Sequence, residues 1–552
     1  MSRPFAWEAL YPPGLSWDFT PSEGTLPDLL DRAAAQFGDA VFLDYREHKI
    51  SFTACADQAC AVTAGLMRMG VQPGERVALY LPNSPYYPFS FFGVLRAGAV
   101  VVNLSPLDAE RELAHKLHDS GATMLITTNI APMFAMAQKL LAAGHINRLI
   151  VGDDAAFGVM PGLPLLPITG DDARIIDFAH LLTAPLPQTW PVLDAHALAA
   201  LQYTGGTTGL PKGAIHTHVT LLASVEIYDL TYNAQLPLLD GQDRVIAVLP
   251  FFHIYGLIVL LLWQLKRGAA LLLQLRFDAS WVLHAIEVKR ATFFPGVPTM
   301  WIALAAIPGI GERDFSSLRQ VSSGGAPLPV DVASRFEALC GRRIGGGWGM
   351  TETASAGTSH LLTGAFDPHS VGVPLPGIEI KIVSLDGGKQ DLPIGETGEM
   401  AVKGPNIFKG YHNKPESTEA DFIDGYFLTG DIGHLDTLGM VHLVDRKKDM
   451  IISGGFNVYP TMIEAAIYEH DAVEECVVIG IADAYRGQAA KAFVKLREGA
   501  APFSLDDLRG FLETRLGRHA MPSALEFRAS LPKTPVGKLS KKELVLEEQK
   551  HG

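Results

Sequence analysis

The chain has little cysteine and no long apolar run. Its four cysteines form no C-x-x-C pair and have no histidine at metal-ligand spacing, so no cysteine metal cluster is expected. Four cysteines are also too few for a disulfide scaffold in a chain of 552 residues. They are Cys55, Cys60, Cys340 and Cys476. The longest apolar run, Ile254 to Leu265 interrupted by Gly256 and Gln264, is shorter than the ~20 residues that span a bilayer. We therefore expect no transmembrane segment.

Two further features are scarce: targeting signals and positive charge. Residues 1–7 lack the apolar core of a secretory signal, which together with the few cysteines predicts a cytoplasmic protein. A net charge of −14 and a pI near 5.7 argue against general nucleic-acid binding, because such binding needs basic surface. Any phosphate that the protein binds should belong to a small ligand.

The composition is that of a large packed protein, since 48% of its 552 residues are hydrophobic and 19% are charged. Short apolar strands such as Val77–Leu81 and Met124–Thr128 alternate with helical stretches up to residue 190, and the alternation resumes from 192 to 375. This pattern predicts an α/β fold with two parallel units. From Gly377 the short alternating segments predict a small β subdomain, followed by a compact α+β unit in which Thr461–Glu464 resembles a capping box.

A Gly- and Thr-rich stretch from Tyr203 to Ala214 is typical of a phosphate-binding loop. Glycines let backbone N–H groups approach an anion, hydroxyls add hydrogen bonds, and a lysine adds positive charge. The candidate phosphate ligands are Thr204, Gly205, Gly206, Thr207, Thr208, Gly209 and Lys212. An apolar flank at Leu198–Gln202 and helical spacing after Thr217 predict a loop between a strand and a helix. Pro211 excludes a Walker loop, and on composition alone a flexible, solvated loop remains the alternative.

Six further motifs follow this loop along the chain. They are Leu249–Gly256 (LPFFHIYG), Ser323–Leu328 (SGGAPL), Gly347–Glu352 (GWGMTE), Thr429–Asp431 (TGD), Asp445–Asp449 (DRKKD) with Gly454–Asn457 (GGFN), and Pro532–Lys538 (PKTPVGK). Together they resemble the adenylate-forming superfamily of acyl-CoA synthetases, beetle luciferases and peptide-synthetase adenylation domains. The resemblance covers nearly the whole chain, and seven motifs in register are far more specific than one.

The resemblance implies a two-step reaction. A carboxylate attacks the α-phosphate of ATP, which forms an acyl-adenylate and releases pyrophosphate, and the thiol of CoA then displaces AMP. The Gly- and Thr-rich loop would hold the β- and γ-phosphates, Thr351 the α-phosphate and Glu352 a Mg²⁺ ion. Lys538 would act on the oxygens of the α-phosphate and the carboxylate in the first step.

The same resemblance implies a nucleotide site. Asp431 matches the ribose-binding acid, since a carboxylate can accept both hydroxyls of a diol. Trp348 follows Gly347 where relatives usually have Tyr, and its flat face could stack on adenine. Arg446 resembles the family's contact to ribose or phosphate. Without this context, core packing is the more usual role of a Trp, and a turn-forming role for the Asp stays open beside ribose binding.

The resemblance also divides the chain into an AMP-binding domain, residues 1–447, and a small mobile domain, residues 448–552. Lys448 would be the hinge about which the small domain rotates after adenylation. That rotation would remove Lys538 and bring three residues to a CoA tunnel. These are Gly454, Gly455 and Phe456.

The motifs also limit the class of acid that the enzyme is expected to use. Phe277 and Asp278 look like the amino-acid-selecting motif of peptide synthetases, but their position predicts the start of a surface helix. His253 would line the carboxylate end, and Gly325 and Ala326 a wall with room for a chain or a ring. The segments Asp445–Ile451 and Asn457–Pro460 look most like those of fatty-acyl-CoA ligases. This likeness favours a medium- or long-chain fatty acid, with aryl or cinnamate-type acids as a close alternative.

Two further functions stay open on sequence alone: a ligase that loads a carrier protein, and a non-catalytic homologue that kept the fold. No carrier domain is appended to the chain, and the candidate residues from Thr204 to Lys538 are retained together, so both are less favoured than the CoA ligase. A monomer or homodimer that could contact membranes transiently is expected.

Overall fold

The computed structural model describes residues 3–168, 172–204, 210–236, 242–325, 328, 330–385, 388–453, 456–483, 485–533 and 539–551. None of the helices in these ranges combines the length and the apolarity that crossing a membrane requires. Most helices carry an apolar face that packs on a sheet.

The helices, in chain order, are α1 Leu26–Phe37, α2 Phe52–Arg68, α3 Tyr86–Arg96, α4 Glu110–Ser120, α5 Ala131–Ala142, α6 Phe178–Leu181, α7 His218–Asn233, α8 Trp263–Arg267, α9 Ala279–Glu287, α10 Pro298–Ala305, α11 Val330–Cys340, α12 Pro415–Ala420, α13 Pro460–Tyr468, α14 Leu505–Leu512 and α15 Lys542–His551. A π-helix, Gly256–Leu262, runs directly into α8. As predicted, Asp278 begins a helix, because its side chain accepts a hydrogen bond from the Trp281 amide and caps α9.

The strands, in chain order, are β1 Val41–Tyr45, β2 His48–Ser51, β3 Arg76–Leu79, β4 Val100–Asn103, β5 Met124–Thr128, β6 Arg148–Gly152, β7 Ile175–Asp177, β8 Leu198–Tyr203, β9 Gly213–Thr217, β10 Arg244–Ala247, β11 Ala270–Leu273, β12 Phe293–Gly296, β13 Gln320–Ser323, β14 Gly345–Gly346, β15 Thr358–Ser359, β16 Val373–Pro374, β17 Glu379–Val383, β18 Gly398–Lys403, β19 Phe422–Ile423, β20 Tyr426–Leu435, β21 Val441–Arg446, β22 Ile451–Ser453, β23 Phe456–Val458, β24 Val473–Asp483, β25 Gly487–Leu496 and β26 Ala524–Phe527.

Two seven-stranded sheets form the large part of the molecule. One has the order β7-β6-β5-β3-β4-β8-β9 and the other β14-β13-β12-β10-β11-β1-β2, and each is parallel except for its last pair. The predicted α/β class with two units is therefore confirmed. Membership of the sheets does not follow the chain, since β1 and β2 join the second sheet whereas β8 and β9 join the first.

One hydrophobic core joins the two sheets. It contains Val77 and Leu79 of the first sheet together with Val245 and Leu271 of the second, all nearly inaccessible to solvent. Helices α2 and α3 lie in this core and approach closely at Gly93, where a Cβ would lie 2.5 Å from a Val62 methyl group. The two sheets therefore act as one rigid support for the loops at their edges.

Two smaller sheets follow along the chain. Strands β17 to β21 form an antiparallel sheet, and strands β22 to β26 form a mixed sheet that packs against α13, α14 and α15. The predicted β subdomain and α+β unit are thus present.

The capping box predicted at Thr461–Glu464 is wrong. Helix α13 begins at Pro460 without a side-chain cap from its own N-cap residue. The Thr461 amide instead donates to the buried Asp445 carboxylate at 2.8 Å, and Glu464 accepts from the Val478 amide at 2.7 Å. The first contact ties the charged motif at 445–449 to the first turn of α13, where a carboxylate is favourable.

Candidate active site

The Gly- and Thr-rich stretch connects two antiparallel strands. Strand β8 enters it and β9 leaves it, so the prediction of a loop between a strand and a helix was incomplete, because β9 precedes α7. The Thr204 amide donates to the Lys212 carbonyl at 3.0 Å and closes the base of the loop. Gly205, Gly206, Thr207, Thr208 and Gly209 lie outside the described residues.

Helix α4 holds both flanks of this loop. The Tyr203 hydroxyl donates to Asp119 Oδ2 at 2.8 Å, and His115 Nε2 lies 3.1 Å from the Pro211 carbonyl oxygen. Both contacts cross between elements that are about ninety residues apart in the chain. The ends of the loop are therefore fixed relative to the first sheet.

Lys212 and Glu352 share one partner, Tyr411. The Tyr411 hydroxyl donates to Glu352 Oε1 at 2.8 Å, and the Lys212 ammonium lies 4.6 Å from the centre of the same ring. Burial raises the pKa of Glu352, whereas the Tyr411 hydrogen bond favours its ionised form. The loop lysine and the predicted metal ligand thus lie on one small surface.

Glu352 suits a magnesium ion. Within the described residues, no group of three or more His, Cys, Asp or Glu side chains is placed to hold a metal. A single buried carboxylate matches Mg²⁺, which typically takes one or two carboxylates and completes its shell with water and substrate phosphates. A cation there would also offset the burial of the Glu352 charge.

Asp431 forms the centre of a second polar cluster. Trp348 Nε1 donates to Asp431 Oδ2 at 2.7 Å, and Arg446 Nε lies 2.9 Å from Oδ1. The carboxylate is nearly inaccessible, whereas Arg446 is half exposed. The negative charge of Asp431 raises the pKa of Arg446. Two predicted nucleotide ligands, Trp348 and Arg446, therefore contact a third, Asp431, although Trp348 lies 83 residues from it in the chain.

The Gly347–Glu352 motif is shaped by close backbone approaches. A Cβ on Gly347 would lie 2.3 Å from the Thr358 carbonyl oxygen, and one on Gly357 would lie 2.4 Å from the Trp348 ring. Glycine is required at both positions because any side chain would overlap its neighbour. Trp348 is therefore buried against backbone, with its N–H directed at Asp431.

The predicted acid end is built from the segment after β10. His253 is partly buried, and its Nδ1 lies 3.3 Å from the Tyr255 amide. The Tyr255 ring packs on Gly324, where a Cβ would approach it to 2.8 Å. Gly325 has a φ of 85°, which favours glycine. Ala326 lies outside the described residues.

In the C-terminal part, Phe456 is exposed and its ring lies 5.2 Å from that of His519. Lys448 is exposed in the turn after β21. Gly454, Gly455 and Lys538 lie outside the described residues. Lys533 and Leu539, which flank residues 534–538, pair as an antiparallel bridge. Lys542 of α15 lies 3.8 Å from Glu112 of α4, the helix that holds the phosphate loop.

Sequence reasoning missed Tyr411, Asp119 and His216. The backbone of residues 409–412 pairs with β9, which places Tyr411 beside Lys212. His216 Nε2 lies 2.8 Å from the Thr351 carbonyl oxygen. None of the three belongs to a recognisable motif, and only a pairing of distant segments could have identified them.

The chain belongs to the AMP-binding enzyme family. The family model described as "AMP-binding enzyme" matches residues 30–412, and "AMP-binding enzyme C-terminal domain" matches residues 462–538. The resemblance drawn from the seven motifs is therefore confirmed.

Three known proteins illustrate the similarity. A long-chain-fatty-acid–CoA ligase of Bacillus subtilis (strain 168) is 37% identical over 559 residues, which cover 98% of each chain. A feruloyl-CoA synthase of Amycolatopsis sp. is 36% identical over 503 residues, which cover 90% of this chain and 93% of that one. ATP-bound MatB from Rhodopseudomonas palustris is a solved structure with a TM-score of 0.82 and 29% identity, covering 95% of this chain and 99% of that one.

Proposed function

We propose that this enzyme activates a carboxylic acid with ATP to an acyl-adenylate and then transfers the acyl group to CoA. The observation that carries the proposal is a pair of polar clusters, one in which Lys212 and Glu352 contact Tyr411 and one in which Trp348 and Arg446 contact Asp431. The reaction class predicted from the motifs agrees with the names of its relatives and is confirmed at that level.

The two polar clusters would bind different parts of the nucleotide. Asp431, oriented by two donors, retains lone pairs that can accept the ribose hydroxyls. Lys212 and the Gly- and Thr-rich loop bind the leaving pyrophosphate, and Thr351 the α-phosphate. Glu352 would hold Mg²⁺, which when bound neutralises charge on the phosphates.

Lys538 is assigned to the α-phosphate by its position within the motif Pro532–Lys538. Lys533, Lys541 and Lys542 lie near Glu475, Glu464 and Glu112 respectively. The contact of Lys542 with α4 also supports a position of the small domain close to the phosphate loop. The small domain, residues 448–552, would turn at Lys448 before Gly454, Gly455 and Phe456 meet CoA.

The substrate that we favour is a medium- or long-chain fatty acid. His253 and Gly325 would border its carboxylate end. Ile254 and the apolar π-helix follow His253 in the chain, are buried, and would line the acyl tail. An aryl acid is the second candidate, because Tyr255 packs on Gly324 and a feruloyl-CoA synthase is a similarly close relative.

The test is ATP–pyrophosphate exchange with fatty, aryl and amino acids, followed by thioester detection with CoA. Exchange and thioester formation with fatty acids are expected. Exchange with amino acids alone would refute the proposal, and fatty-acid exchange without thioester would favour transfer to a carrier protein. Lys538→Ala should abolish exchange, whereas the matched Lys533→Ala, which removes only an ion pair with Glu475, should not.

A further inference from the structure

The turn that carries Thr351 and Glu352 is strained. Residues Thr351–Thr353 form one 3-10 turn, and the next two residues have positive φ although neither is glycine, 45° for Ala354 and 74° for Ser355. Such backbone is unfavourable for residues with a Cβ and persists only where surrounding contacts impose it. The source of those contacts can be identified residue by residue.

Six consecutive carbonyls of this turn each accept a hydrogen bond from outside it. From β9 and α7, His216 Nε2 donates to Thr351 at 2.8 Å, Ser224 Oγ to Ala354 at 2.8 Å and Tyr228 Oη to Ser355 at 3.1 Å. From residues 406–408, Asn406 Nδ2 donates to Thr353 at 2.6 Å and to Ala356 at 2.8 Å, and the Phe408 amide donates to Glu352 at 2.8 Å. The backbone of the turn is thus held along its whole length.

His216 donates to Thr351, the residue predicted to bind the α-phosphate. It is inaccessible to solvent, and burial lowers its pKa to about 4, so the ring is neutral near pH 7. Thr220 Oγ1 lies 3.4 Å from Nδ1. A neutral ring that donates from Nε2 to Thr351 has an acceptor at Nδ1, although the Thr220 hydroxyl makes its shorter bond, 3.0 Å, to the Thr217 carbonyl.

The segment that contains His216, Ser224 and Tyr228, formed by β9 and α7, begins at the end of the phosphate loop. Strand β9 starts at Gly213, directly after Lys212, and reaches His216 three residues later before continuing into α7. A displacement of the loop end would therefore be transmitted to the Thr351 carbonyl through one short strand. The turn and the loop share a rigid connection.

We propose that His216, with Ser224 and Tyr228, is a positioning residue that holds Thr351 and Glu352 in register with the phosphate loop. This inference rests on the proposed roles of Thr351 and Glu352. Loss of the His216 donor would leave the Thr351 carbonyl with only the bond from the Ala354 amide, at 3.1 Å, and would loosen the strained turn. We expect this to weaken the binding of magnesium-bound ATP but not of the acid.

The variants are His216→Phe, which keeps a ring but removes the donor, and His216→Gln, which restores an amide donor. The matched control is His218→Phe, because His218 is equally buried but contacts the Leu26 amide, at 3.3 Å, instead of the turn. ATP–pyrophosphate exchange gives the KM values for ATP and acid. Equilibrium binding of ATP with and without Mg²⁺, in the absence of acid, gives a readout independent of turnover.

For His216→Phe we expect kcat/KM for ATP to fall roughly 10- to 100-fold. The gain in ATP affinity from Mg²⁺ should shrink, the KM for the acid should stay within about twofold, and His216→Gln should recover most of the loss. Equal behaviour of His216→Phe and His218→Phe, or no recovery with glutamine, would overturn the proposal.

Two further variants keep the test decisive. If His216→Phe does not fold, Tyr228→Phe removes one hydroxyl from the same set and should raise the KM for ATP in the same direction; an unchanged KM would count against the positioning role. Glu352→Gln tests the underlying assignment separately. If it retains full magnesium dependence, the role of Glu352 is wrong, whereas loss of that dependence together with a silent His216→Phe would refute only the positioning role.

Discussion

Removal of the indole N–H at Trp348 should weaken ATP binding. Trp348→Phe keeps an aromatic ring in the pocket formed by Gly357 but deletes the 2.7 Å donor to Asp431 Oδ2. A hydrogen bond to a charged group contributes about 1.5–3 kcal/mol, and roughly 1.4 kcal/mol corresponds to tenfold in affinity. If the whole loss fell on the bound state, ATP affinity would drop about 10- to 150-fold.

Part of that loss will fall on the free enzyme. Asp431 is only 5% exposed and keeps the Arg446 contact at 2.9 Å, so the variant retains a partner for the carboxylate but holds it less firmly. Because Arg446 still contacts one carboxylate oxygen, we expect the loss of ATP affinity at the lower end of the range, about tenfold. The other oxygen loses its donor in the free enzyme as well, so a modest fall in Tm should accompany it.

The assay is the equilibrium Kd for ATP and the KM for ATP in pyrophosphate exchange, with the KM for the acid measured alongside. Trp301→Phe is the matched control, since Trp301 is equally buried and its Nε1 donates at 3.2 Å to the Ser322 carbonyl, away from Asp431. If both variants change the ATP affinity by less than about twofold while Asp431→Asn abolishes it, Trp348 only packs the core and the reasoning is refuted.

Two other predictions concern the hinge and the response to pH. Lys448→Pro should spare acyl-adenylate formation and abolish thioester formation, because a fixed φ prevents the rotation of the small domain. The amides of Asp449 and Met450 can keep their bonds to the Arg446 carbonyl, so the turn itself should be preserved. Joint loss of both activities would contradict a hinge at this residue. Burial lowers the pKa of His218 to about 4, below its ordinary 6.5. Between these values the unfolded chain binds a proton that the folded chain does not, so stability should fall as the pH drops from 6.5 to 4 and then level off. In thermal melts, His218→Phe should show a shallower decline of Tm over this window than the parent enzyme, and an identical slope would exclude His218 as a contributor.

The candidate site was predictable wherever its residues lie within a motif. Trp348, Glu352, Asp431 and Arg446 became candidates through the resemblance of their motifs to a known family, since each residue read alone also fits an ordinary structural role. The donors that orient them did not. Tyr411 donates to the Glu352 carboxylate, and His216 donates to the Thr351 carbonyl. Neither contact leaves a pattern in the local sequence.

Periodicity was sufficient for the class of fold and for many of the strands. Met124–Thr128 and Glu379–Val383 were predicted with the observed bounds, because apolar runs and strict alternation report burial directly. The capping box at Thr461 failed, because a distant carboxylate, Asp445, satisfies the first turn of α13 more directly than its own residues do.

Only the tertiary structure decided which strands share a sheet. Local sequence predicted β8 as a strand but not β1, β2 or β9. The partners of all four depend on pairing between segments as much as about 230 residues apart, such as Leu43 with Leu271. The same long-range pairing brings residues 409–412 against β9, and so places Lys212, Tyr411 and Glu352 together. The types of residue that the chemistry needs can therefore be recognised along the chain. Their assembly into one site depends on contacts between distant segments, which no short stretch of sequence specifies.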